Sequence, residues 1–213
     1  MADVLELHRL TRVIPVIRRP DPDSAIEACH AVLALGEAAA RETRETGAAA
    51  GWPEIIELTA TTPDWPRALA RVRAAIPHVV IGLGTVTDGE TAAQAIEAGA
   101  SFLVSPYPAA EVRPVADAAG IPFIEGGFTP GEIAASARHG VAKLFPAAPA
   151  GPGYLRSVLD VIPGARVIPT GGISLDRAGE WLAAGAYAVG AGGGLVSRPD
   201  AAGLLAAALA GRR

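Results

Sequence analysis

Short apolar segments rich in β-branched residues alternate along this chain with alanine-rich segments of helical spacing. At four junctions one glycine stands between the helix and the next strand: Ala98-Gly99-Ala100, Ala119-Gly120-Ile121, His139-Gly140-Val141 and Ala184-Gly185-Ala186. A glycine just past the last helical turn takes the left-handed conformation that caps the helix. A strand that starts directly after such a cap follows a helical return path, so successive strands run parallel. The segments expected as strands are residues 13–17, 54–59, 79–82, 102–105, 122–124, 141–145, 166–169 and 187–190. They are apolar on both faces, as parallel strands covered by helices must be. Eight units within 213 residues predict a compact α/β (β/α)8 TIM barrel, a single domain over residues 1–213, rather than an open doubly wound sheet.

One unit breaks the rhythm. The connection between the first two strands is the longest, and its charged, alanine-rich residues 37–45 predict a solvent-exposed helical extension within an insert around residues 36–52. Ahead of the first strand, Glu6, Arg9 and Arg12 mark an amphipathic N-terminal helix with neither the apolar core nor the cleavage site of a secretory signal. The most apolar stretch, residues 181–196, is interrupted by Gly185, Gly190 and Gly192 to Gly194, so no membrane-spanning helix is expected. A net charge of −4, with no basic run before Arg212-Arg213, argues against nucleic acid as a partner. Cys29 is the single cysteine, which rules out an intramolecular disulfide and suits a reducing cytoplasm.

The chain uses arginine 17 times and lysine once, at Lys143. Arginine cannot give up its proton, so a position that keeps lysine in such a chain has a use for an amine that can become a nucleophile. Val141-Ala142-Lys143-Leu144-Phe145-Pro146 places that amine in the middle of an apolar strand. Burial favours the uncharged form of an amine, and Schiff-base enzymes depend on that form.

In a parallel barrel, reactive side chains project at the C-terminal ends of the strands. In Ile55-Ile56-Glu57-Leu58-Thr59 the two-residue period puts Ile55, Glu57 and Thr59 on one face and Ile56 and Leu58 on the other. With Ile56 and Leu58 against the helices, Glu57 points into the barrel. A carboxylate there must be paired or used, which makes it a candidate general acid-base. Arg18 closes the first strand on the face of Ile14 and Val16, where a guanidinium suits capture of a carboxylate or phosphate. Strands seven and eight end in Pro169-Thr170-Gly171-Gly172 and Gly190-Ala191-Gly192-Gly193-Gly194, whose glycines let backbone N–H groups approach an anion. His8, His30, His78 and His139 are scattered, so neither a metal cluster nor a serine triad is expected. Gly82-Leu83-Gly84-Thr85 lacks the third glycine and the later acidic residue of a dinucleotide loop.

Taken together these segments resemble the class I aldolases that cleave 2-keto-3-deoxy-6-phosphogluconate (KDPG) and 4-hydroxy-2-oxoglutarate (KHG). Lys143-Leu144-Phe145-Pro146-Ala147 is similar to the family's Schiff-base segment, and Glu57-Leu58-Thr59 with Thr61-Thr62-Pro63 to its catalytic glutamate strand. Gly82-Leu83-Gly84-Thr85-Val86 is similar to the segment with its substrate-contacting threonine, and Val104-Ser105-Pro106 to that with its active-site proline. Pro15-Val16-Ile17-Arg18 matches the anion-binding arginine, and Pro169-Thr170-Gly171-Gly172 the phosphate loop. The resemblance implies catalysis by Lys143 and Glu57, with Arg18, Thr85, Pro106, Phe145, Thr170, Gly171, Gly172, Gly192 and Gly193 holding the substrate. It also implies a 2-keto acid substrate, phosphorylated or not, no metal or organic cofactor, and a homotrimer.

This chain departs from the pattern at three positions. Thr61 stands where many members have an arginine, Gly193 where a serine helps to hold phosphate, and Glu125 where the family has a proline. Glu125 is expected to place an extra carboxylate beside the site and repel an anionic substrate, which together with Gly193 predicts a weak preference for phosphorylated substrates. Two other readings remain open from the residues: a non-catalytic binder of 2-keto acids or phosphate, and a phosphate-binding barrel isomerase that uses Lys143 and Glu57 without an imine.

Overall fold

The computed structural model of the chain describes residues 12–45, 55–192, 195 and 199–210. The expected N-terminal helix, the later part of the insert and Gly193 lie outside these residues. The strands are β1 (Val13–Ile17), β2 (Ile55–Thr59), β3 (Val80–Gly84), β4 (Leu103–Val104), β5 (Phe123–Gly127), β6 (Val141–Leu144), β7 (Arg166–Pro169) and β8 (Val189–Ala191). They pair in parallel in the order β7-β6-β5-β4-β3-β2-β1-β8, and a parallel bridge between Thr170 and Gly190 joins the two ends into a barrel. The helices around it are α1 (Pro22–Glu45), α2 (Trp65–Ala75), α3 (Gly89–Glu97), α4 (Val112–Ala119), α5 (Pro130–Ala137), α6 (Gly151–Val161), α7 (Ala178–Ala183) and α8 (Ala201–Ala210). Gly99, Gly120, Gly140 and Gly185 all have positive φ, from +67° to +124°, as glycines that end helices do.

Side-chain alternation divides the core into two layers. Ile14, Ile55, Phe102, Val104, Ile124, Val141, Ile168 and Ala188 meet inside the barrel. Ile17, Ile56, Leu58, Ile81, Leu83, Ala142 and Leu144 belong to the larger cluster between strands and helices. Strand β3 contributes two glycines to the interior, and their missing side chains are filled from neighbouring strands. A Cβ on Gly82 would overlap the Phe102 ring, and one on Gly84 would overlap the carboxylate of Glu57. A glycine within a strand commonly marks such a close approach.

Helix α1 has 24 residues where the others have at most 11. At 1.5 Å per residue it is roughly 36 Å long, about twice the reach of the strand it follows. Because it leaves the C-terminal end of β1 and leads back to the start of β2, its surplus length lies toward the opposite end of the barrel from that mouth. The extension is not solvated on all sides, contrary to the expectation for residues 37–45. Ala39 and Ala40 are buried and α1 packs along α8, while Glu37 and Arg41 are exposed on another face of the helix.

Candidate active site

On β6, Val141 and Lys143 share the inward face, while Ala142 and Leu144 pack outward. On β2 the inward set is Ile55, Glu57 and Thr59, as the two-residue period predicts. The two strands thereby direct a lysine and a glutamate at each other across the barrel interior. Lys143 Nζ lies 3.4 Å from Glu57 Oε1, and each side chain is 6% exposed. Either charge alone at this depth would carry a penalty of several kcal/mol, which the opposite charge offsets. The pair and Thr170 line one small cavity whose remaining walls include Ile14, Val104, Ile124 and Ile168. Water is thus largely excluded from around the amine. Lys143 Nζ also sits 5.5 Å from the centroid of the Phe145 ring, within cation–π range.

Each neighbour of the pair is held by local packing. The bare backbone of Gly84 leaves the volume that the Glu57 carboxylate occupies. The next residue, Thr85, has φ +62°, a left-handed conformation that is rare for a β-branched side chain and marks strain where β3 meets the mouth. The Ser105–Pro106 backbone presses on Gly126, which pairs in register with Lys143. Thr170 fills the space beside Gly190. Gly171 and Gly172 have φ +99° and +73°, and a Cβ on Gly171 would come within 2.8 Å of the Phe145 ring. The amides of Ala147 and Ala148 donate to the carbonyls of Thr170 and Gly171, tying the loop after Lys143 to the glycine loop after β7. Gly192 approaches the Val16 carbonyl on β1, and Arg18 is exposed just past the end of that strand.

The structure therefore gathers Lys143, Glu57, Thr170 and Phe145 at one point and sets Arg18, Thr85, Pro106, Gly171, Gly172 and Gly192 at strand ends on the same face of the barrel. Thr61 is exposed, and its hydroxyl is 2.9 Å from that of buried Thr59, beside the Glu57 strand. Among the described residues, no three His, Cys, Asp or Glu side chains come together as a metal ion would require. No helix among them is long and apolar enough to cross a membrane.

Glu125 is a correction. It faces the helices, not the barrel interior, because Phe123 points outward, Ile124 inward and Glu125 outward along β5. One carboxylate oxygen accepts a hydrogen bond from the Ala109 amide at 2.9 Å, and the other lies 3.3 Å from Arg113 Nη2. The carboxylate is neutralised by that guanidinium and does not face an anion in the cavity. Three residues that the sequence motifs contain have supporting roles the sequence does not assign: Gly84 makes room for Glu57, Gly190 for Thr170, and Ser105 holds Gly126. The first two carried a readable signal, glycine on the inward face of a strand.

A model of the KDPG and KHG aldolase family matches residues 4–202. A 2-dehydro-3-deoxy-phosphogluconate aldolase of Pseudomonas aeruginosa is 38% identical over 138 residues, covering 63% of this chain and 63% of that protein. The chain thus aligns to less than two thirds of that relative's length. The enzyme of the same name from Treponema pallidum is 31% identical over 186 residues, covering 86% of this chain and 81% of the other. Among solved structures, the 2-keto-3-deoxy-6-phosphogluconate aldolase of Zymomonas mobilis with 3-phosphoglycerate superposes with a TM-score of 0.76 at 28% identity, over 99% of this chain and 95% of the other.

Proposed function

Because the chain belongs to the KDPG and KHG aldolase family, we propose that it is a class I aldolase that cleaves a 2-keto-3-deoxy sugar acid or 4-hydroxy-2-oxoglutarate into pyruvate and an aldehyde. The observation that carries this reading is that the one lysine of the chain is buried inside the barrel, 3.4 Å from an equally buried glutamate. A structural ion pair can be built with either cation, whereas imine chemistry needs the amine.

In this reading Glu57 accepts a proton from Lys143, and the amine adds to the C2 carbonyl to give a carbinolamine. Glu57 returns that proton to the departing C2 hydroxyl, so that loss of water produces the protonated imine and leaves Glu57 ionised. The C3–C4 bond then breaks with its electron pair drawn into the imine, while the C4 hydroxyl gives its proton to Glu57 through a water and the aldehyde departs. Glu57 returns that proton to C3 of the enamine, and hydrolysis frees pyruvate and Lys143. In the same reading Thr170, which lines the cavity with Lys143, and Thr85, at the end of β3, hold the carboxylate end. Arg18 and the backbone N–H groups of Gly171, Gly172 and Gly192 can receive an anionic far end. The Zymomonas mobilis neighbour, solved with 3-phosphoglycerate, supports a phosphorylated substrate. With Glu125 paired to Arg113, repulsion of that phosphate by Glu125 drops out of the account. Assembly as a homotrimer rests on the family likeness, and a cytoplasmic location on the lone buried Cys29.

Release of pyruvate, followed through NADH oxidation by lactate dehydrogenase, tests the activity with KDPG and 4-hydroxy-2-oxoglutarate offered separately. Pyruvate from at least one is expected; none from either contradicts the reading.

A further inference from the structure

Glu125 stands outside the catalytic pair, yet it is tied to the segment that packs on Gly126, the register partner of Lys143. Its oxygens take two partners from the segment that follows β4: the amide of Ala109, at 2.9 Å, and the guanidinium of Arg113 in the first turn of α4, at 3.3 Å. Arg113 in turn lies 4.9 Å from the centroid of the Phe123 ring, also on β5. Both charged side chains are mostly buried, at 17% and 14% exposed, so the pair is less screened than a surface bridge. The same segment is held to β5 from inside. Gly126 N donates to Ser105 Oγ at 3.1 Å, Ser105 Oγ donates to the Tyr107 carbonyl at 2.7 Å, and the Ser105–Pro106 backbone packs on the bare Cα of Gly126. Gly126 is the register partner of Lys143.

We infer that Glu125 is a positioning residue: with Arg113 it straps the segment from Ser105 to Glu111 onto β5 and so fixes Pro106 against Gly126, the register partner of Lys143. This rests on the aldolase reading for its consequence to the substrate, and on the contacts alone for the strap. The carboxylate acts through Pro106 and touches no reacting atom. Ser105 and Gly126 hold the inner edge of the turn, and Glu125 and Arg113 hold its outer edge. Removing the outer hold lets Pro106 shift relative to Gly126 beside Lys143, and under the aldolase reading this weakens binding of a 2-keto acid while the chemistry at Lys143 and Glu57 continues.

The test compares wild type with Glu125→Ala and Glu125→Gln in two measurements. The first is amide hydrogen exchange of residues 105–111, which needs no substrate. The second is exchange of pyruvate methyl protons in D2O as a function of pyruvate concentration. Glu125→Ala is expected to speed amide exchange in this segment, and to raise half-saturating pyruvate, by about tenfold each, the usual consequence of losing a hydrogen bond to a charged group. The maximal rate should change far less. Glu125→Gln keeps an acceptor for Ala109 N–H and should restore most of both. Unchanged amide exchange in Glu125→Ala overturns the strap, and faster amide exchange with unmoved half-saturation overturns its role at the site. If the wild type exchanges no pyruvate protons, the aldolase reading falls, and amide exchange still decides whether the strap exists. Should Glu125→Ala fail to fold, Arg113→Met removes the other partner and is read by the same two measurements.

Discussion

Lys143 Nζ and Glu57 Oε1 lie 3.4 Å apart inside the barrel although 86 residues separate them in the chain. The contact exists because β6 and β2 each direct the third residue of a short strand inward, at similar depth. A base within reach of the amine and of a substrate held by it is the geometry that general acid-base catalysis requires.

Glu57→Gln keeps the shape of the side chain and loses the ability to carry a proton. Imine formation should persist, while exchange of pyruvate methyl protons in D2O slows by about 10²–10⁴-fold, the usual contribution of a positioned acid-base group. Unaltered exchange in this variant would give Glu57 a structural role only.

Gly84→Ala tests the same pair from the opposite strand. The new methyl would overlap the Glu57 carboxylate, which has to rotate away from Lys143 because the surrounding interior is packed. Proton exchange should fall at least about tenfold, as expected when a catalytic group is displaced by the order of an ångström. The borohydride-trapped imine should still form. A variant with wild-type exchange would show that the carboxylate does not need this position.

Burial pushes the Cys29 thiol from 9.0 up to about 12, against a smaller opposing pull from the charge of Arg19. The folded value is the higher one, so the stabilisation is complete below about 9 and is lost as pH rises toward about 12. At pH 8 a disulfide reagent should label Cys29 only after denaturant is added. Labelling of the native protein at the rate of a free thiol would contradict this burial.

Most of the architecture was legible because helix-ending glycines and apolar strands repeat with one spacing. The inward aim of Glu57 was legible because Ile56 and Leu58 flank it on the other face. The face of Glu125 is not legible in the same way, because the apolar pattern of β5 ends at residue 124. The strand continues through Gly126 and Gly127, which have low strand propensity but accept the close approach of Ser105 and Pro106. Extending the alternation by one residue turns Glu125 outward. Strand β3 likewise runs beyond residue 82, where its expected span ends, to Gly84, whose missing side chain leaves space for Glu57. Glycines carry no side-chain pattern of their own, and what fills their place comes from strands far away in sequence.

The central claim is that the Lys143 amine forms an imine with a 2-keto acid, and borohydride reduction in the presence of pyruvate, read by intact mass, tests it most directly. The chain has no other side-chain amine, so with the α-amine blocked any adduct reports Lys143. One adduct of reduced pyruvate on the wild type, and none on Lys143→Arg, is the predicted result, together with loss of pyruvate release in that variant. Absence of an adduct on folded wild type, or pyruvate release by Lys143→Arg within tenfold of wild type, contradicts the account.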